Sequence, residues 1–142
     1  MVEDTGNIWN YSNNITKCIT TNGIVKKNNE LVMGKGIALQ AKKRYPDIPK
    51  ILGDFVKLNG NILYYIKKYN IISFPTKHHW KDKSSIELIK QSCYTLNYFT
   101  ESFNKLAVLP KPGCENGGLD WESEVKPIIS KILNNRICVI SL

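Results

Sequence analysis

A chain of 142 residues, 42% of them hydrophobic and 23% charged, has the balance of one globular domain around one core and not that of a disordered tail. Its net charge of +8 favours anionic partners such as nucleotides, nucleic acid or phosphorylated material. Four cysteines without a CxxC pair, and two histidines that are neighbours (His78, His79), exclude the spacing of a structural zinc site.

No metal and no cofactor are therefore expected. No apolar run is long enough to span a bilayer and no signal-peptide pattern opens the chain, so a reduced, cytoplasmic protein without a membrane partner is expected. Cys18 and Cys138 lie in apolar β-like runs and read as buried small hydrophobes.

Taken in order, Met1 to Asn13 reads as a short edge strand running into a turn near Gly6-Asn7. Ile15 to Thr21 is rich in β-branched residues and is closed by the turn dipeptide Asn22-Gly23, which predicts a strand. Lys26 to Glu30 is a polar loop. Met33-Gly34-Lys35-Gly36 then leads into a helix over Gly36–Tyr45, stopped by Pro46. A second helix runs from Asp47, as its cap, to Leu58, with Pro49 in its first turn and Ile51, Leu52, Phe55 and Val56 as its apolar stripe.

Asn61–Ile66 and Ile71–Phe74 are predicted to pair as a hairpin across a Lys-Lys-Tyr-Asn turn. Pro75 to Lys83 is a polar and aromatic loop, after which Ser84 or Ser85 caps a long helix. The stripe of that helix is Ile86, Ile89, Cys93, Leu96, and Phe99 or Phe103. Leu106–Leu109 is fully apolar and reads as a central strand. Pro110–Gly118 is a second glycine loop, Trp121–Leu133 a helix, and Ile137–Ile140 a last strand. Short apolar strands alternating with amphipathic helices predict an α/β fold: a mixed sheet with helices on both faces, in one domain spanning 1–142.

The two glycine loops carry the functional signal. Glycine lets backbone approach a ligand closely, and a helix N-terminus offers unpaired N–H groups and partial positive charge. Gly34 and Gly36 sit at such a terminus, and Gly113–Gly118 follows the central strand. Open α/β sheets bind ligands outside the carboxyl ends of their strands, so two facing cradles suit a diphosphate. Neither loop is a Walker A or a GxGxxG sequence. From the residues alone, the ligand is a small diphosphate, a nucleotide for preference.

Ile19-Thr-Thr-Asn22, Met33-Gly-Lys-Gly-Ile-Ala-Leu-Gln40, Phe74-Pro-Thr-Lys-His-His-Trp80 and Pro112-Gly-Cys-Glu-Asn-Gly-Gly-Leu-Asp-Trp121 resemble a macrodomain, over nearly the whole chain. The Met33–Gln40 run and the Thr76–Trp80 loop are most similar to the branch of terminal ADP-ribose glycohydrolase and the DarG antitoxin. This resemblance implies a three-layer α/β/α fold that binds ADP-ribose or an ADP-ribosylated substrate. Asn7 stands where the family has an adenine-binding aspartate, with the Ile8 N–H beside it. Thr20, Thr21 and Asn22 would reach the distal ribose. Met33, Gly34, Lys35, Gly36 and Ile37 would form the first phosphate loop. Gly113, Cys114, Glu115, Asn116, Gly117, Gly118 and Leu119 would form the second.

The same resemblance makes Lys77 the catalytic candidate, acting at the anomeric carbon of the distal ribose. A lysine desolvated in a pocket becomes a nucleophile or base. The glycohydrolase of the branch carries an aspartate in the second loop, where this chain has Gly117; Glu115 and Asp120 are the nearest acids. The implied activity is removal of ADP-ribose from a modified DNA base or protein side chain. An ADP-ribose 1''-phosphate phosphatase using His78, His79 or Asn22, and a non-catalytic ADP-ribose reader or sponge, are the alternatives. Basic and aromatic residues interleave at Tyr64–Tyr69 and Lys77–Lys83, which suits DNA as a further partner. A monomer is expected.

Overall fold

A computed structural model describes residues 1–141. Six strands form one sheet: β1 (Val2–Thr5), β2 (Thr16–Thr21), β3 (Tyr64–Ile66), β4 (Ile71–Pro75), β5 (Ala107–Pro110) and β6 (Ile137–Ser141). Their order across the sheet is β1-β6-β5-β2-β4-β3. All neighbours are parallel except β3 and β4, the predicted hairpin. Its turn is a single 3-10 turn over Lys67–Tyr69, closed by Asn70 in the left-handed region at φ 55°.

Alternation along the strands feeds two layers of side chains. Cys18, Ile72, Phe74, Leu109 and Val139 enter the larger core with Ile89, Cys93 and Leu96 of helix α3 (Ile86–Ser102). Ile19 and Ile71 enter the opposite core with Ala38 and Ala41 of α1 (Gly36–Arg44) and Leu52 of α2 (Ile48–Asn59). The sheet is thus covered on both faces, which lets its parallel centre be a nearly continuous apolar run. Cys18 is fully buried as predicted, whereas Cys138 is half-buried beside Tyr11. Among the described residues no helix is long and apolar enough to cross a membrane.

Several local expectations change. Asp47 precedes α2 but does not cap it, because Lys68 (2.8 Å) and Tyr69 (2.7 Å) take its carboxylate. Ser85, not Ser84, caps α3 by accepting from the Leu88 N–H at 3.2 Å. Phe103 is 63% exposed, so Phe99 ends the α3 stripe. The predicted strand from Asn61 shortens to Tyr64–Ile66, since the Asn61 side chain is used elsewhere. The helix expected over Trp121–Leu133 becomes a π turn, Trp121–Val125, followed by the short α4 (Lys126–Ile129). Pro127 has no N–H to give to the preceding turn, and the Val125 N–H reaches back five residues to the Asp120 carbonyl (3.2 Å).

Candidate functional site

The chain leaves β2 toward β4 on one side of the sheet and leaves β5 toward β6 on the other. Neighbouring β2 and β5 therefore form a topological switch point, where the two connections part and leave a crevice at the carboxyl ends of the strands. A cleft of about 330 Å³ lies there, lined by residues 20–22, 32–38, 76–77, 80, 84, 110–111 and 113–117. Its floor is tied by a buried hydrogen bond between the hydroxyls of Thr21 and Ser73 (2.8 Å).

The first glycine loop is held from below. Asn22 accepts from the Ile24 N–H (2.9 Å) and donates to the Val32 carbonyl (2.9 Å), so its amide braces the loop. Met33 is buried under it. Lys35 makes no side-chain cap at the start of α1. The Leu39 N–H is bonded to the Lys35 carbonyl at 3.2 Å, so the N–H groups of Gly36, Ile37 and Ala38 precede the hydrogen-bonded ladder. All three residues line the cleft, which makes this helix start an open anion cradle. Gly36 adopts φ 57°, where a side chain would be strained.

The second loop is built differently. A Cβ on Gly117 would lie 2.2 Å from Ser84 Oγ and 2.4 Å from the Gly113 carbonyl oxygen. The Ser84 N–H donates to the Gly117 carbonyl (2.9 Å), and the Leu119 N–H donates to the Gly113 carbonyl (2.9 Å). Leu119 is buried in the core with its N–H taken, so it is no part of the cradle, contrary to expectation. Gly118 lines a neighbouring groove instead of the cleft. The thiol of Cys114 faces the Pro112 carbonyl (3.4 Å), and burial pushes it up to about 11. It is a packing thiol, not a nucleophile.

Lys77 follows β4. Its carbonyl accepts from Asn61 Nδ2 (2.9 Å), and the next carbonyl, of His78, accepts from the Gly23 N–H (3.1 Å). Its Nζ donates to the Asn116 carbonyl (2.9 Å) and to the Trp80 carbonyl (3.4 Å). Asn116 Nδ2 in turn lies 2.8 Å from where a Cβ on Gly36 would stand. The first loop, the second loop and the Lys77 loop therefore meet at Asn116, across the cleft.

Of the residues singled out in the sequence, Thr20 to Asn22, Met33 to Ile37, Lys77 and Gly113 to Gly117 line one cleft. Asn7 and Ile8 do not. They follow β1 at the same edge of the sheet, where Ile8 packs with Ile37, and Asn7 accepts from the Trp9 N–H (2.9 Å). His78 and His79 also lie outside the lining; His79 Nδ1 accepts from the Lys81 N–H (3.1 Å). Asp120 turns away and caps the π turn, accepting from the Ser123 N–H (2.9 Å) and hydroxyl (2.7 Å).

Three lining or supporting residues were not singled out for this role in the sequence. Asn61 is one. Thr76, whose N–H continues the ladder to the Thr21 carbonyl (3.0 Å), is another. Ser84 is the third: it is buried, lines the cleft, and its hydroxyl has no hydrogen-bond partner among the described residues. Only the serine-serine pair before α3 hinted at the last, since one serine suffices as a cap. Among the described residues, no cluster of three His, Cys, Asp or Glu could hold a metal.

No family model matches the chain. In an alignment of 111 positions that covers 70% of its length, it is 35% identical to a protein of Mycobacterium tuberculosis named DNA ADP-ribosyl glycohydrolase. The chain spans about a third of the length of the curated relatives it matches, 31% in that case. Among solved structures, the macrodomain of M. tuberculosis DarG superposes with a TM-score of 0.79 at 25% identity, covering 99% of this chain and 97% of that one. Thermosipho africanus DarTG in complex with ADP-ribose superposes with a TM-score of 0.77 at 24% identity, covering 95% of this chain and 39% of that one. By these likenesses of sequence and fold the chain belongs to the macrodomain family, in the branch of the DarG macrodomains.

Proposed function

We propose that the cleft binds ADP-ribose and that the protein hydrolyses the bond joining the distal ribose to a modified DNA base, with Lys77 at the anomeric carbon. The observation that carries this reading is the placement of Lys77 between an open helix N-terminus and a second glycine loop. A diphosphate laid against the N–H groups of Gly36, Ile37 and Ala38 directs one end toward Asn7 and Ile8, beyond β1. The other end then lies over Thr20 and Thr21, next to Lys77. Ile8 and Ile37 in one apolar cluster give the adenosine end a continuous wall. The name DNA ADP-ribosyl glycohydrolase borne by the relatives supports a DNA acceptor.

The chemistry needs Lys77 to exchange partners. Its Nζ now bridges two carbonyls, and a substrate must take the place of at least one of them. Released beside the ribose and having given one proton to water, the neutral amine attacks the anomeric carbon, the bond to the base breaks, and the base leaves with the proton that the newly bonded nitrogen sheds. Water then replaces the lysine and regenerates it. Gly117 offers no carboxylate for that second step and Asp120 faces away, which leaves Glu115 as the one acid of the second loop that lines the cleft.

The phosphatase alternative loses its water-activating groups, because both histidines lie off the cleft and the Asn22 amide is engaged at both ends. A reader or sponge keeps one observation in its favour: the Lys77 bridge ties two loops together, a role that needs no turnover. Calorimetry should give an ADP-ribose Kd on the order of 1 µM, about −8 kcal/mol. A panel of ADP-ribosylated single-stranded DNA, glutamate-modified protein and ADP-ribose 1''-phosphate should show turnover of the DNA, abolished by Lys77→Ala. Turnover that survives Lys77→Ala removes the lysine mechanism. Tight binding without turnover of any substrate establishes the sponge.

A further inference from the structure

Lys77 and Trp80 are shared between the cleft and a second, more open groove of about 440 Å³. This groove is lined by four lysines (Lys35, Lys77, Lys81 and Lys83), by Trp80 and Asp82, and by the tip of the second glycine loop. Among the described residues, none of the four lysines has a carboxylate within ion-pair distance, so the groove holds four uncompensated ammonium groups against one acid. Trp80 is 47% exposed, tilts against His79 (5.4 Å between ring centres), and carries the Lys81 ammonium 5.3 Å from its ring centre. The Lys83 stem runs along the loop beside Gly118, its Cγ 3.5 Å from where a Cβ on that residue would stand.

An exposed indole flanked by unpaired lysines is the combination that holds a single strand: bases stack on the ring and phosphates meet the ammonium groups. Its position fits the same conclusion. The group removed from the distal ribose leaves from the Lys77 end of the cleft, and Lys77 is where the groove begins. A base joined to that ribose must be out of its stack to reach Lys77, so the strand is single at that point.

We propose, resting on the ADP-ribosyl hydrolase reading above, that this groove is the track for the acceptor strand. The nucleotide beside the modified one stacks on Trp80, and the adjoining phosphates pair with Lys81 and Lys83. A protein acceptor has neither regular phosphates nor stacking bases and gains nothing from this arrangement.

The test uses the full chain, a ten-nucleotide single-stranded oligonucleotide with and without an ADP-ribosylated base, and free ADP-ribose. Lys81 and Lys83 lie outside the cleft lining, so a Lys81→Glu, Lys83→Glu double variant should keep the wild-type affinity for free ADP-ribose, which also reports that it is folded. Its KM for the modified oligonucleotide should rise. The slope of log K against log salt for the unmodified oligonucleotide should fall by about 1.4, near 0.7 per lost phosphate contact. Trp80→Ala should raise KM for the oligonucleotide at least about tenfold, and Trp80→Phe should recover most of the loss.

Unchanged KM and salt slope in the charge-reversed variant, with ADP-ribose binding intact, overturns the groove and leaves the cleft standing. An equal loss on an ADP-ribosylated glutamate peptide also overturns it, because the lysines then act as a general anionic attractor. If wild-type protein fails to bind free ADP-ribose, the cleft reading falls, and the groove is judged by the unmodified oligonucleotide alone. Binding that Trp80→Ala and the double variant leave untouched rejects it.

Discussion

The two glycine loops look alike in the sequence, each a glycine-rich turn ahead of an apolar helical run, but different forces shape them. At the first, the demand is conformational and electrostatic. Gly36 takes a left-handed φ, α1 begins without a side-chain cap, and the freed N–H groups belong to residues that line the cleft. At the second, the demand is volume. Gly117 is pressed between Ser84 and the Gly113 carbonyl, and the turn that follows is already capped by Asp120. One loop is an electrostatic device that happens to need glycine, and the other is a packing device that ends up facing a ligand.

Four substitutions, with Asn116→Ala as a control on the second, probe that contrast, in order of their expected effect on stability. Gly117→Ala forces a methyl into the space of Ser84 and a backbone carbonyl and should cost about 3 kcal/mol, at the upper end for overpacking, in urea unfolding. A loss under 1 kcal/mol would mean that the second loop yields as readily as a surface turn. Gly36→Ala should cost about 1–2 kcal/mol from its φ alone. Asn116→Ala should not recover this cost if conformation, not the neighbouring amide, is the cause.

Gly34→Ala separates stability from binding. Among the described residues no atom beyond its two chain neighbours lies within 4 Å of the added Cβ, and the backbone is ordinary there, so stability should hold or rise by about 0.5 kcal/mol. The methyl projects from a cleft-lining residue, however, and ADP-ribose affinity measured by calorimetry should drop about tenfold or more. Unaltered affinity would show that the ligand does not approach this loop.

The smallest effect is at Asp120. Its carboxyl is held below the usual carboxylate range by the Ser123 hydroxyl and N–H. A depressed carboxyl contributes stability above its ordinary pKa and loses it as pH falls through the folded value. Asp120→Asn should therefore lower the urea midpoint slightly at about pH 6 and match wild type near pH 2. A gap between the two proteins that persists in acid would locate the effect in packing and not in charge.

Much of this was readable from residues whose role is local. Period and breakers placed the helices at Gly36, Asp47 and Ser85 and the apolar strand after Leu106, because each depends on its own neighbours in sequence. The glycine loops and the motif around Lys77 were visible for the same reason. What could not be read depends on partners far along the chain. Asp47 looks like a cap until Lys68 and Tyr69, some twenty residues on, take its carboxylate. Asn61 looks like the start of a strand, yet its amide anchors the Lys77 loop. Leu119 belongs to a glycine loop in sequence and to the core in space. The unsatisfied Ser84 hydroxyl is a fact about volume, which no linear pattern encodes.

The position of β1 has a consequence in time. At the edge of the sheet it has one neighbour, β6, and its first residue pairs across the whole chain, Val2 with Cys138. A contact of that span is among the costliest in loop-closure entropy and the last to be rewarded during folding. Asn7 and Ile8 hang from the end of this strand, and Ile8 docks on Val108 and Ile140. The phosphate cradles can form with the central strands, but the wall proposed for the adenosine end exists only after the final strand is in place. A chain halted short of β6 would have the middle of the site without one of its ends.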